Sequence, residues 1–300
     1  MSDSSTPFPD FDVFLGIDWS GARGPKLPGL QIAEAKPGNA APGLVDPPVG
    51  RWWTRRVVLE WLIDRMARGR VLAGFDFAFA YAFGDEGAYF PGEGSQPDHA
   101  FALWDMIEGV CEVAPELYGA PFYQRDDLPW HRYFLSPRGK GDLYRFRQRK
   151  VETACAAITA PHPVMKCVGS ANVGTGSLAG MRFLHHLKSR LGDDVTIWPF
   201  EAFGGGSVVV EIFPRLFFKL ARANPRAWTD QTVLNRALAH YGSRPVAADW
   251  VPAREDEPDA LVSAAALRAL DPVPEVWQTP FCDRVATRAE GWIFGVDWSS

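Results

Sequence analysis

The stretch VFLGIDWS, residues 13–20, is apolar on both faces before it reaches an acid. In strand alternation Val13, Leu15 and Ile17 share one face, and Phe14, Gly16 and Asp18 share the other. A strand with no wet face belongs at the centre of a sheet covered on both sides. Two further runs repeat the pattern. LAGFDFAF, residues 72–79, sets Asp76 between Phe75 and Phe77, and VVVEIF, residues 208–213, sets Glu211 between Val210 and Ile212. A carboxylate in such surroundings is costly to bury unless something compensates it. Asp18 and Asp76 stand toward the C-terminal ends of their runs, where open α/β sheets keep their ligands.

A fourth acid lies in EDEPDALVSAAALRAL, residues 255–270. Pro258 suits a first helical turn, which places Asp259 near a helix N-terminus. The Ala- and Leu-rich remainder is made for close packing on a sheet. Each acid has a plainer use. Asp18 would bond amides of the SGARG turn, Asp76 would anchor the loop after its strand, Glu211 would pair with Arg215, and Asp259 would favour the helix dipole. Acids on three buried strands and a helix start, taken together, point instead to shared cations. Converging carboxylates repel one another, and an all-oxygen cluster suits Mg²⁺ or Mn²⁺ better than zinc. Two such ions activate a water and stabilise the leaving oxygen of a phosphodiester.

The rest of the chain fits α/β class. Strands are expected at residues 12–18, 30–35, 70–80, 195–199, 207–214 and 292–297. Helices are expected at 54–68 with Thr54 as N-cap, after Ser177 up to Gly192, and at 214–223, 229–241 and 258–270. Residues 36–50 are Pro- and Gly-rich and read as loop. Residues 82–163 mix Gly, Pro, aromatic and basic residues and read as a long insertion with short helices near 100–113 and 145–158, so that 1–300 forms a single domain.

Composition removes several classes. The hydrophobic share is 47% and the formal charge −5, which is ordinary for a globular chain and argues against a protein basic all over. Cys111, Cys155, Cys167 and Cys282 form no CxxC pair, so they read as reduced thiols rather than a zinc or thioredoxin motif. The first residues carry no basic and apolar signal regions, and no apolar run reaches membrane-spanning length. The expected setting is cytoplasmic, without a membrane partner.

The motifs GIDWSGA, GFDFAFA, VVEIFPR and EPDALVSAAALRAL, in that order, resemble the family called domain of unknown function 429. The likeness runs over nearly the whole chain and includes VGSANVGTGSLAG and EGWIFG. It implies a predicted nuclease with an RNase H-like fold: a mixed five-stranded sheet flanked by helices, here with the insertion at 82–163 and extra C-terminal elements. By that resemblance Asp18 on the first strand, Asp76 on the fourth and Asp259 on a late helix bind Mg or Mn in a two-metal site. Glu211, on the strand equivalent to the fifth, joins them as a catalytic acid in a less usual place.

PWHRYFLSPRGKGDLYRFRQRK, residues 129–150, interleaves cations with aromatic rings. Such groups bind phosphates and stack bases. Arg145, Arg147, Arg149 and Lys150 are therefore expected to touch a nucleic acid or nucleotide substrate; the alternative is a solvated basic face over a core. Gly174, Gly176 and Gly180 suit close helix packing better than a phosphate loop, since the Walker ending is missing. His185 and His186 lie on an expected helix without HExxH spacing and read as surface residues. His131, in the basic stretch, is placed to assist a leaving group, although a lone loop histidine more often has no catalytic part. Two other functions fit less well. An ATP-dependent phosphotransferase of the actin and sugar-kinase superfamily shares the GIDWSGA loop, but needs a second half that the terminal GVDWSS does not begin. A non-catalytic nucleic-acid or protein binding module is the other.

Overall fold

A computed structural model describes residues 10–169 and 172–297. The strands are β1 (Val13–Asp18), β2 (Gln31–Ala35), β3 (Gly43–Leu44), β4 (Val71–Phe75), β5 (Leu135–Ser136), β6 (Gly139–Lys140), β7 (Val195–Ile197) and β8 (Ser207–Glu211). The α-helices are α1 (Arg55–Ala67), α2 (Ala100–Cys111), α3 (Pro121–Gln124), α4 (Lys150–Cys155), α5 (Val173–Leu191), α6 (Pro214–Leu220), α7 (Gln231–His240), α8 (Asp256–Leu270) and α9 (Pro274–Gln278). Six strands make one mixed sheet in the order β3-β2-β1-β4-β8-β7, and β5 and β6 form a separate ribbon. From β1 through β4 and β8 to β7 the strands are parallel; β2 alone runs the other way, antiparallel to both of its neighbours, β1 and β3. The family resemblance implies five strands; this sheet has six, because β7, expected at 195–199, adds an outer edge beside β8, and β3 forms within the stretch expected as loop.

Both faces are covered, as the two-sided apolar pattern requires. Val13, Leu15, Ile17, Ala73, Phe75 and Val209 pack with α1, α2 and α5. Phe14, Leu72, Val208 and Val210 pack with α6, α7 and α8. Gly16 lets α8 lie directly on β1, since a Cβ there would stand 2.3 Å from the Ala260 carbonyl oxygen. Helix α8 runs antiparallel to β1. Its start sets Asp256 beside Gly29, before β2, and its end sends Arg268 to the carbonyls of Lys36 and Ala40, after β2. The N-terminus of α8 therefore overhangs the C-terminal end of β1.

Residues 82–163 do not pack as a separate lobe. Phe90, Phe122, Trp130 and Phe134 share one core with β1 and β4. Several elements differ from expectation for visible reasons. The loop at 36–50 contributes β3, which pairs with β2. Helix α5 starts at Val173, where the Asn172 side chain accepts from the Thr175 amide, so Ser177 is not its cap. Ser177 Oγ instead accepts from the Ala78 amide at 3.1 Å. The expected helix at 145–158 is reduced to α4. The expected last strand is a single bridge from Ile293 to Glu211, after which the chain turns at Gly295 with φ 89°. Trp298, Ser299 and Ser300 of the terminal DWSS lie outside the described residues, as do Ser170 and Ala171 of the glycine-rich motif. Thr54 caps α1 as expected, accepting from the Val57 amide. No described helix is long and apolar enough to cross a membrane.

Candidate functional site

Asp18 closes β1, and Asp76 follows the last residue of β4. The register pairs Gly16 with Gly74 and Ile17 with Phe75, and the Asp76 amide donates to the Ile17 carbonyl at 3.0 Å. The two acids are thus neighbours across adjacent parallel strands, whose spacing is about 4.8 Å. Alternation from Phe14 and Gly16, and from Leu72 and Gly74, turns both toward α8. Asp256 and Asp259 sit in the first turn of α8, three residues apart and so on one helical face. The positive end of the helix dipole favours acids there. A strand pair and a helix start thereby bring Asp18, Asp76, Asp256 and Asp259 to one end of the sheet. Asp256 went unnoticed in the sequence, although the acidic run 255–259 contained the signal.

The electrostatics reflect this crowding. Burial, followed by the charges of Asp76, Asp259, Asp256 and Glu255, holds the Asp18 carboxyl well above the usual carboxylate range. Burial, then Glu211 and Asp256, pushes Asp76 up to about 7. Burial and Glu255 push Asp256 up to about 6. Asp259 is raised well above its ordinary value by burial, Asp76, Asp256 and Glu255, and the Arg215 guanidinium acts in the opposite direction. The SGARG turn after Asp18 is fastened by Arg55, which donates to the carbonyls of Ser20 and Ala22. Among the described residues, no three His, Cys, Asp or Glu side chains form a ready-made metal-ligand group. The donors that gather are nevertheless carboxylate oxygens, the chemistry that hard dications take.

Glu211 belongs to a different arrangement. It shares the face of Val209, opposite to the face that carries Asp18 and Asp76. Arg149 Nη1 donates to Glu211 Oε2 at 2.7 Å, Arg149 Nη2 to Oε1 at 2.5 Å, and the Phe79 amide to Oε2 at 3.0 Å. Arg149 Nε also donates to Glu152, and Nη1 to the Glu290 carbonyl. Two expectations are corrected together. Arg149 is buried at 1% exposure and cannot meet a substrate from solvent, and Glu211 is the centre of an internal ion pair. Arg215, expected as its plainer partner, acts on Asp259 instead.

The remaining cations of the basic stretch are also engaged. Arg147 donates to Asp85 and to the carbonyls of Ala88 and Tyr89, with its side chain 7% exposed. Arg145 pairs with Glu86 at the surface, and Lys150 with Asp283. Arg132 and Arg138 pair with Asp142 and Asp126. Trp130, Tyr133 and Phe134 are buried, whereas Phe146 is exposed. The glycines behave as packing residues. A Cβ on Gly174 would meet Cys167 Sγ at 2.5 Å, and one on Gly180 the Phe77 ring at 2.3 Å. His185 and His186 face Asp105 and Glu108 on α2. No family model, no curated protein and no solved structure matches the chain.

Proposed function

We propose that this chain is a metal-dependent phosphodiesterase acting on a nucleic acid or nucleotide, built on an RNase H-like sheet. The observation that carries the reading is the convergence of Asp18, Asp76 and Asp259 at the C-terminal ends of two parallel strands, beneath the start of α8. The five strands β3-β2-β1-β4-β8, with acids on the first strand, after the fourth and on a late helix, support the RNase H-like assignment. Asp18, Asp76 and Asp259 would hold Mg²⁺ or Mn²⁺, with Asp256 beside them. Bound there, the metal would supply an activated water and charge stabilisation at the leaving oxygen. The chain's own contribution is rigidity. Asp18 and Asp76 stand on a strand pair covered on both faces, and Gly16 holds α8 close enough to bring its acids over them.

The test joins binding to turnover. Mn²⁺ or Mg²⁺ at one hundred times Kd should stabilise the fold by about 2.7 kcal/mol, read as a rise in melting temperature. A labelled single-stranded oligonucleotide or bis(p-nitrophenyl) phosphate should be hydrolysed with metal and not with EDTA. A chain that shows neither the shift nor turnover ends the proposal.

A further inference from the structure

An open cavity of about 660 Å³, lined by none of the clustered acids, lies among His99, Phe101, Phe200, Arg284, Thr287 and Arg288. Three separate parts of the chain build it: the start of α2, the turn after β7, and the stretch leading to Glu290. Its size falls within the range of small-ligand sites, about 300–1,000 Å³.

One side is aromatic. Phe101 and Phe200 stand 6.1 Å apart between ring centroids, and Trp104 braces them at 4.8 and 5.7 Å. Both phenylalanines are half-buried, so each keeps ring surface for a ligand. The other side is cationic. Arg284 is exposed. Arg288 pairs with Asp98, but both side chains are more than 60% exposed, and such a pair contributes little and exchanges readily. His99 Nδ1 accepts from the Ala102 amide at 3.2 Å to cap α2. In the neutral ring the proton is then on Nε2, which is left as a donor. The positive end of the twelve-residue helix α2 adds to the same field. Asp283, close by in sequence, is neutralised by Lys150.

Flat apolar surface beside several anion donors defines a ligand with a planar ring and a negative group. We propose that this cavity binds a small planar aromatic phosphate, with its ring on Phe101 and Phe200 and its phosphate held by Arg284, Arg288 and His99. None of the cavity's lining residues belongs to the acid cluster, and the proposal does not depend on the chemistry assigned there.

The experiment is calorimetric titration of the full chain in EDTA, which keeps metal at the acid cluster out of the result. The probes are adenosine 5′-monophosphate, adenosine, and inorganic phosphate. The monophosphate should bind with Kd of about 0.1 mM, and each half-probe at least tenfold more weakly. Arg284→Glu, at an exposed position, should keep the melting temperature and weaken the monophosphate about tenfold or more. Phe200→Leu should weaken the monophosphate without changing the response to phosphate. No binding of the monophosphate, binding unchanged in Arg284→Glu, or phosphate alone binding as tightly as the monophosphate would overturn the proposal.

Discussion

Asp76 carries two demands at once: it is half-buried among like charges, and its carboxyl is pushed up to about 7. An acid that binds its proton more tightly in the fold than in the unfolded chain, where Asp titrates near 3.9, stabilises the protein below that value and loses the contribution as pH rises toward about 7. Asp256, pushed to about 6, acts in the same direction. Without metal, stability should therefore fall between about pH 4 and pH 7. Asp271, raised to about 7 by burial and Asp10, titrates in the same window, so the informative quantity is the difference between the wild type and Asp76→Asn. That variant should show a shallower fall and a melting temperature at neutral pH higher by roughly 2–4 °C for each kcal/mol of repulsion removed. It should also lose the metal-induced shift. Parallel pH–stability curves for the two proteins would show that the repulsion has no thermodynamic weight.

Elements differ in how plainly the sequence announces them. The three acid-bearing runs read correctly as the sites of buried strands, because a strand without a wet face has few other interpretations. The strand expected at 70–80 nevertheless ends at Phe75, so Asp76 follows β4 rather than lying in it. Helix α5 was harder: Asn-Val-Gly-Thr-Gly reads as a turn by propensity, yet tertiary packing overrides the cost of its glycines. Gly174 and Gly180 instead admit Cys167 and Phe77 at distances no side chain would allow. The Arg149–Glu211 pair was not legible, because its partners lie 62 residues apart and the pattern around Arg149 reads as a surface stretch. Removing one partner of a buried pair leaves the other charge uncompensated, typically at about 3–5 kcal/mol. Glu211→Ala should therefore melt far lower than the wild type while still responding to Mn²⁺; a lost Mn²⁺ response in a folded variant would return Glu211 to the metal site. Gly16→Ala tests the seating of α8 in the same way. Its Cβ would stand 2.6 Å from the Ala264 amide nitrogen as well as 2.3 Å from the Ala260 oxygen. Overpacking of this kind costs about 1–3 kcal/mol or more, and displacement of the helix should weaken the Mn²⁺ shift too.

Across the whole molecule, the C-terminal stretch ties distant parts together. The Glu290 carboxylate accepts from the amides of Phe83, Gly84 and Lys150, its carbonyl accepts from Arg149, and Ile293 bridges to Glu211. Trp292, Phe294 and Val296 are buried in the core on the α8 side of the sheet. This segment is a clasp, and it decides how the second Asp-Trp-Ser copy compares with the first. Asp18 lies in a central strand beside Asp76, with α8 against it and the SGARG turn leading onward. Asp297 is exposed and follows the Gly295 turn, and among the described residues it belongs to no strand of the sheet. The resemblance between the copies is thus one of local composition, an apolar run followed by an acid, and their surroundings are unlike. Asp18→Asn should abolish metal-dependent turnover and the Mn²⁺ shift, whereas Asp297→Asn should leave both nearly intact. The two variants are to be compared at matched folding, judged by far-ultraviolet circular dichroism. Equal loss of the Mn²⁺ shift in both would place the C-terminus inside the acid cluster and make the two copies partners.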